Sequence, residues 1–120
     1  MSIFTGQKGL RHQYAALTTA QLAAANNATN AVLLLKFDNV GRLVFLDNTM
    51  DKDLSILLVH PDADSTVVAN RLFWFELPTN RVMNYDMNMS PGLFFDPGTT
   101  IWVYSAVAPT TGKLRVTTWG

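Results

Sequence analysis

The sequence predicts an all-β fold, an antiparallel sandwich or barrel of about seven to eight strands. Three observations carry this expectation. Short β-rich runs recur at fairly regular spacing through residues 31–120, each closed by Pro, Gly, Asn or Asp. No run alternates with a long helical pattern, which argues against a parallel α/β fold. Many runs are apolar on both faces, whereas a single-layer antiparallel sheet keeps one face polar.

The elements follow in order. Residues 1–14 are polar and contain Gly6 and Gly9, with Lys8, Arg11 and His12. They read as an extended arm anchored by Ile3, Phe4, Leu10 and Tyr14. Residues 18–25 read as one short helix of two to three turns, because Thr18 or Thr19 can cap it and its alanines are strong helix formers. The Asn-rich stretch 26–30 closes it. This sets an expected division into an arm with its helix, residues 1–30, and a β domain, residues 31–120.

Strands are expected at 31–37, 42–46, 54–60, 70–77 and 81–87. In 42–46, Leu43 and Phe45 face one way, and Val44 and Leu46 the other. Pro91-Gly92 and Pro97-Gly98 bracket a Leu-Phe-Phe stretch. Residues 99–107 and 113–120 then read as a terminal hairpin closed by the turn 109–112. Within it, Ile101, Val103, Leu114 and Val116 are expected in the core, and Trp102, Tyr104 and Trp119 on a face that meets a partner.

Composition narrows the function. At 120 residues the chain is long enough for one domain with its own core, and it has no cysteine to staple it. Charged residues make up only 15% of the chain against 48% hydrophobic, so a lone monomer would expose apolar surface. The expectation is a homo-oligomer, with a trimer or ring as natural arrangements. Formal net charge is zero, which argues against a general nucleic-acid binder. The first residues lack a signal-peptide pattern, and the longest apolar run, residues 31–35, is too short to cross a bilayer. Neither export by the usual route nor a membrane partner is expected.

Residues that carry chemistry are sparse. The two histidines, His12 and His60, have no Gly-x-Ser-x-Gly elbow and no cysteine to serve. Asp86 and Asp96 flank the stretch before residue 99, but their spacing does not specify a glycosidase pair. The acidic loops, Asp47 to Asp53 and Asp62 to Asp64, invite calcium. They lack the EF-hand order, and Asp and Asn serve turns for conformational reasons alone. Gly6 and Gly9 do not make a phosphate loop. The expectation is no catalytic residue, no cofactor and no metal: not an enzyme.

Several stretches resemble small accessory structural proteins of tailed-bacteriophage virions. They are VFLDNTMDKDLSILL at 44–58, WFELP at 74–78, YDMN at 85–88, GTTIWVY at 98–104 and APTTGKLRVTTW at 108–119. The resemblance covers about two-thirds of the chain and carries no catalytic motif. It implies a β-sandwich of jelly-roll type, no cofactor, self-association, and termini that clamp neighbours. A location in the virion follows, after synthesis in the host cytoplasm. The expected role is capsid decoration or cementing, with other copies of the chain and the major capsid protein or other virion proteins as partners. A head–tail, collar or tail attachment role is the alternative. The expected interface residues are Phe4, Leu10, Arg11, Tyr14, Trp102, Tyr104 and Trp119. A rival of another class is a carbohydrate-binding module that uses Trp74, Trp102 or Trp119 as a sugar platform.

Overall fold

In a computed structural model, which describes residues 12–86 and 94–119, eight strands form two four-stranded antiparallel sheets. The strands are β1 (His12–Thr18), β2 (Val32–Lys36), β3 (Leu43–Asn48), β4 (Leu54–Val59), β5 (Arg71–Leu77), β6 (Arg81–Asp86), β7 (Thr100–Tyr104) and β8 (Lys113–Trp119). One sheet has the order β1-β8-β3-β6 and the other β2-β7-β4-β5. Among the described strands, only β4 and β5 are consecutive within one sheet, and each other pair of consecutive strands lies in opposite sheets. The pairs β1·β8, β2·β7, β3·β6 and β4·β5 are all hydrogen-bonded partners.

Both sheets feed one core, as in a β-sandwich. Val44, Leu46, Leu114 and Val116 come from the first sheet, and Leu54, Ile56, Leu58, Ile101 and Val103 from the second, all fully buried in a single cluster. The period of two along each strand produces this, since alternate side chains point to opposite faces. The expected core residues Ile101, Val103, Leu114 and Val116 are all there.

The start of the chain departs from expectation. Residues 12–18 form a strand in which all seven residues pair with β8, from His12 opposite Trp119 to Thr18 opposite Lys113. Leu17 points into the core. Tyr14, expected as an anchor of an extended arm, is thus part of a sheet. No α-helix covers 18–25; the chain makes a 3-10 turn at Ala20–Leu22 and another at Ala28–Asn30. Helix nucleation is costly, and so short an alanine segment gains too little to offset it. Burying Leu22 and Ala25 and pairing β1 along β8 wins instead.

The terminal hairpin is not formed either. β7 pairs with β2 and β4, while β8 pairs with β1 and β3 in the other sheet. Residues 105–112 cross between them. This crossing is pinned at several points. Ser105 N–H donates to the Ala25 carbonyl at 2.8 Å, and Thr49 N–H to the Lys113 carbonyl at 2.9 Å. Gly112 has φ +87°, and a Cβ there would overlap the Thr49 backbone. Only glycine adopts that conformation without strain.

The loop from β3 to β4 is organised by a buried amide. Asn48 is fully buried. Its Nδ2 protons are shared among the carbonyls of Lys52 (3.1 Å), Leu77 (3.1 Å) and Pro78 (3.2 Å), and its Oδ1 accepts from Met50 N–H at 2.8 Å. One side chain therefore ties the β3–β4 and β5–β6 connections together.

Candidate interaction faces

The outer face of the first sheet follows from the alternation in β8. Leu114, Val116 and Thr118 are buried, so Lys113, Arg115, Thr117 and Trp119 point outward. The register then places their neighbours. Trp119 stands between His12 of β1 and Leu43 of β3, and Thr117 between Tyr14 and Phe45. The His12 and Trp119 rings lie 6.3 Å apart, centroid to centroid. Tyr14 is 59% exposed, and Phe45 and Trp119 are also exposed. The result is an aromatic strip across three strands, bordered by Arg115 opposite Asp47.

The second sheet presents a different row. Leu33 of β2, Trp102 of β7, Leu57 of β4 and Trp74 of β5 stand side by side, each opposite the next. Leu57 is fully buried beneath its neighbours, whereas Trp74 is 63% exposed. Trp102 is half-buried, and its indole Nε1–H donates to Thr100 Oγ1 at 2.9 Å. The Arg71 guanidinium lies 6.0 Å from the Trp74 ring centroid, within cation–π range. Tyr104, also half-buried, sits one row away opposite Ser55.

The residues expected to share one partner-facing surface are therefore divided. Tyr14 and Trp119 lie on the outer face of one sheet, and Trp102 and Tyr104 on that of the other. Phe4, Leu10 and Arg11 lie outside the described residues. Sequence reasoning missed Phe45 and Leu33. Alternation sorted Leu43 and Phe45 from Val44 and Leu46, but both pairs are apolar, so it could not tell which pair faces out.

The acidic loops have structural work to do. Asp51 accepts from Thr110 N–H (2.8 Å), Thr110 Oγ1–H (2.5 Å) and Thr111 N–H (3.3 Å). The Thr110 hydroxyl, then the Thr110 backbone N–H, hold its pKa down at about 2. Asp53 accepts from Thr79 N–H at 2.9 Å, and Asp64 from Thr66 N–H at 2.9 Å. The Thr66 bonds lower the Asp64 pKa, its backbone N–H first and its hydroxyl second. Lys36 and Asp62 approach to 4.0 Å at the surface, a contact worth little. Among the described residues, no three His, Asp or Glu side chains group as a metal would require. His12 lies beside Trp119, and His60 directly follows β4. The side chain of Asp86 lies outside the described residues.

No family model, no curated protein and no solved structure matches this chain. Among the described residues no helix is long and apolar enough to cross a membrane.

Proposed function

We propose that this chain is a non-enzymatic structural subunit of a tailed-phage virion, a jelly-roll domain that decorates or cements the capsid by associating with other copies and with the capsid surface. The strand orders β1-β8-β3-β6 and β2-β7-β4-β5 support the jelly-roll reading. Pairing of first with last strand, second with seventh, third with sixth and fourth with fifth is that of one long antiparallel ribbon wound into two facing sheets. Fold alone does not give function.

The observation that carries the assembly reading is that both outer faces bear large apolar side chains. Tyr14, Phe45 and Trp119 stand on one, and Leu33 and Trp74 on the other. Monomeric proteins rarely expose two such patches, and aromatic residues are enriched where proteins meet. The segment ahead of His12, with Phe4, Leu10 and Arg11, clasps a neighbouring subunit in this reading. His12, the residue that follows it, pairs with Trp119 at the edge of the aromatic strip.

The test is co-sedimentation of the purified chain with phage capsids that lack it. Removing residues 1–11 leaves all of β1 in place, so the truncated chain should fold and bind capsids less. Unchanged binding by the truncated chain would remove the clasp from the account. No binding by the full chain would remove the capsid role.

A further inference from the structure

The two flanks of the sandwich treat their edge strands differently. On the flank formed by β1 and β2, one side chain bonds across the sheets. Gln13 Nε2 donates to the Lys36 carbonyl and to Asp38 Oδ2, both at 3.1 Å, and Gln13 Oε1 accepts from Asp38 N–H at 2.8 Å. The Thr18 N–H at the end of β1 donates to Gln21 Oε1, also at 2.8 Å. β2 has only five residues, and its register shifts between Leu33 and Leu35. Short strands, bulges and covering groups are how folded proteins keep an edge from pairing with another chain.

On the other flank, β5 lies at the end of its sheet with seven residues and neither Pro nor Lys among them. Its one irregularity is at Leu72, where the pairing with β4 shifts. Among the described residues, no backbone group outside β4 bonds to the backbone of 72–76. Every second residue there turns its N–H and C=O to the open side. Aromatic rings are open on the same side. Between the sheets, Tyr85 lies against both Phe73 and Phe75, with ring centroids 5.3 and 5.4 Å apart, and Phe73 is still exposed.

β5 also complements itself. Trp74 and Glu76 belong to the outer face, opposite Leu57 and Ser55. The Arg71 guanidinium joins them there, over the Trp74 ring. In an antiparallel pair related by a two-fold axis, opposite residues share a face and each contact occurs twice. With the axis at Trp74, the middle of the strand, Trp74 meets Trp74 of the second copy, and Phe73 meets Phe75. Glu76 of each copy then comes alongside Arg71 of the other, so the charge at each end of the strand is matched.

We propose that two copies of this chain join antiparallel through their β5 strands, about a two-fold axis at Trp74, so that two four-stranded sheets become one sheet of eight. The second copy is the partner because β5 itself supplies the complement: a base and an acid near opposite ends, with aromatic rings between. This pairing rests on the reading that the chain associates with itself, and it names the strand and register of one contact.

The chain has no cysteine, so one introduced thiol reports on one position. Opposite residues in an antiparallel pair stand about 4.5–5.5 Å apart at Cα, a span that a disulfide closes. Trp74 and Glu76 are both exposed, so neither change should disturb the fold. On mild oxidation, Trp74→Cys should form a covalent dimer on a non-reducing gel. Glu76→Cys should not, because it stands opposite position 72, about 13 Å along the strand from the other thiol. Sedimentation equilibrium tests the charges. Arg71→Glu should weaken the dimer about 2- to 30-fold, the worth of two exposed ion pairs. Adding Glu76→Arg should restore it, which a mere loss of packing at Arg71 would not allow. The proposal is overturned if Trp74→Cys is not trapped, if Glu76→Cys is trapped as readily, or if the exchanged charges do not restore the dimer. A parent that sediments as a multiple of the chain while Trp74→Cys is not trapped would overturn this pairing alone and leave the assembly reading standing. A trapped dimer that does not bind capsids would uphold the pairing and remove the capsid role.

Discussion

The Asp51 carboxylate accepts both the backbone N–H and the hydroxyl of Thr110, and so fastens the β3–β4 loop to the crossing between β7 and β8. These bonds favour the charged form and lower the pKa from 3.8 to about 2. The associated stability is complete above the unfolded-state value and drains away as pH falls from 3.8 towards 2. Asp51→Asn should therefore melt below the parent at pH 7, and the gap should close on acidification through that window. A gap that is constant with pH would show that the charge is not what holds the two loops.

Asn48 serves the same end of the sandwich without a charge. Asn48→Ala would leave the Leu77 carbonyl and Met50 N–H without their partner in a buried setting. The expected cost is about 2–4 kcal/mol, since several buried groups lose their bonds together. Chemical denaturation measures it, and a cost under about 0.5 kcal/mol, the range of ordinary surface changes, would contradict the arrangement.

At Gly112 the backbone itself sets the requirement. Alanine would meet both a left-handed conformation and the Thr49 carbonyl. The expected loss for Gly112→Ala is about 2–5 kcal/mol, from conformational strain and overpacking together. A neutral substitution would mean that the crossing follows another path.

Core and face should separate cleanly. Leu58 is fully buried and belongs to the common core, so Leu58→Ala should cost about 2–5 kcal/mol. Trp74 stands mostly in water at 63% exposure, so Trp74→Ala should change folding stability by no more than about 0.5 kcal/mol. Equal losses at the two positions would contradict the assignment of inner and outer faces.

Much of this fold was legible because its punctuation is local. Seven of the eight strands lie where alternation and turn residues place them, from 32–36 to 113–119. The eighth, β1, was hidden by composition. Its alanines and those that follow favour a helix in isolation, and only the distant edge of β8 makes residues 12–18 a strand. The terminal hairpin misled for a related reason. A Pro-Thr-Thr-Gly turn between two β runs looks like a hairpin, but whether two strands share a sheet depends on partners far away in sequence. β7 finds β2 and β4, and β8 finds β1 and β3.

The candidate faces were legible only in part. Alternation gave the relative orientation of Trp102 and Ile101, and of Trp119 and Val116. It could not show that the two tryptophans belong to opposite sides of the molecule. A cleft at the end of the sandwich where β4 finishes had no signal in the spacing of its residues. It gathers His60, Phe73 and Asp96 from three separate parts of the chain.

The central claim is that the apolar outer faces are covered by other subunits. The mass of the purified chain in solution, by sedimentation equilibrium across a range of concentrations, tests it most directly. The account predicts a defined multiple of the 13.3 kDa chain, reduced by Trp119→Ala or by removal of residues 1–11. A single 13.3 kDa species that persists at the highest concentration would contradict it.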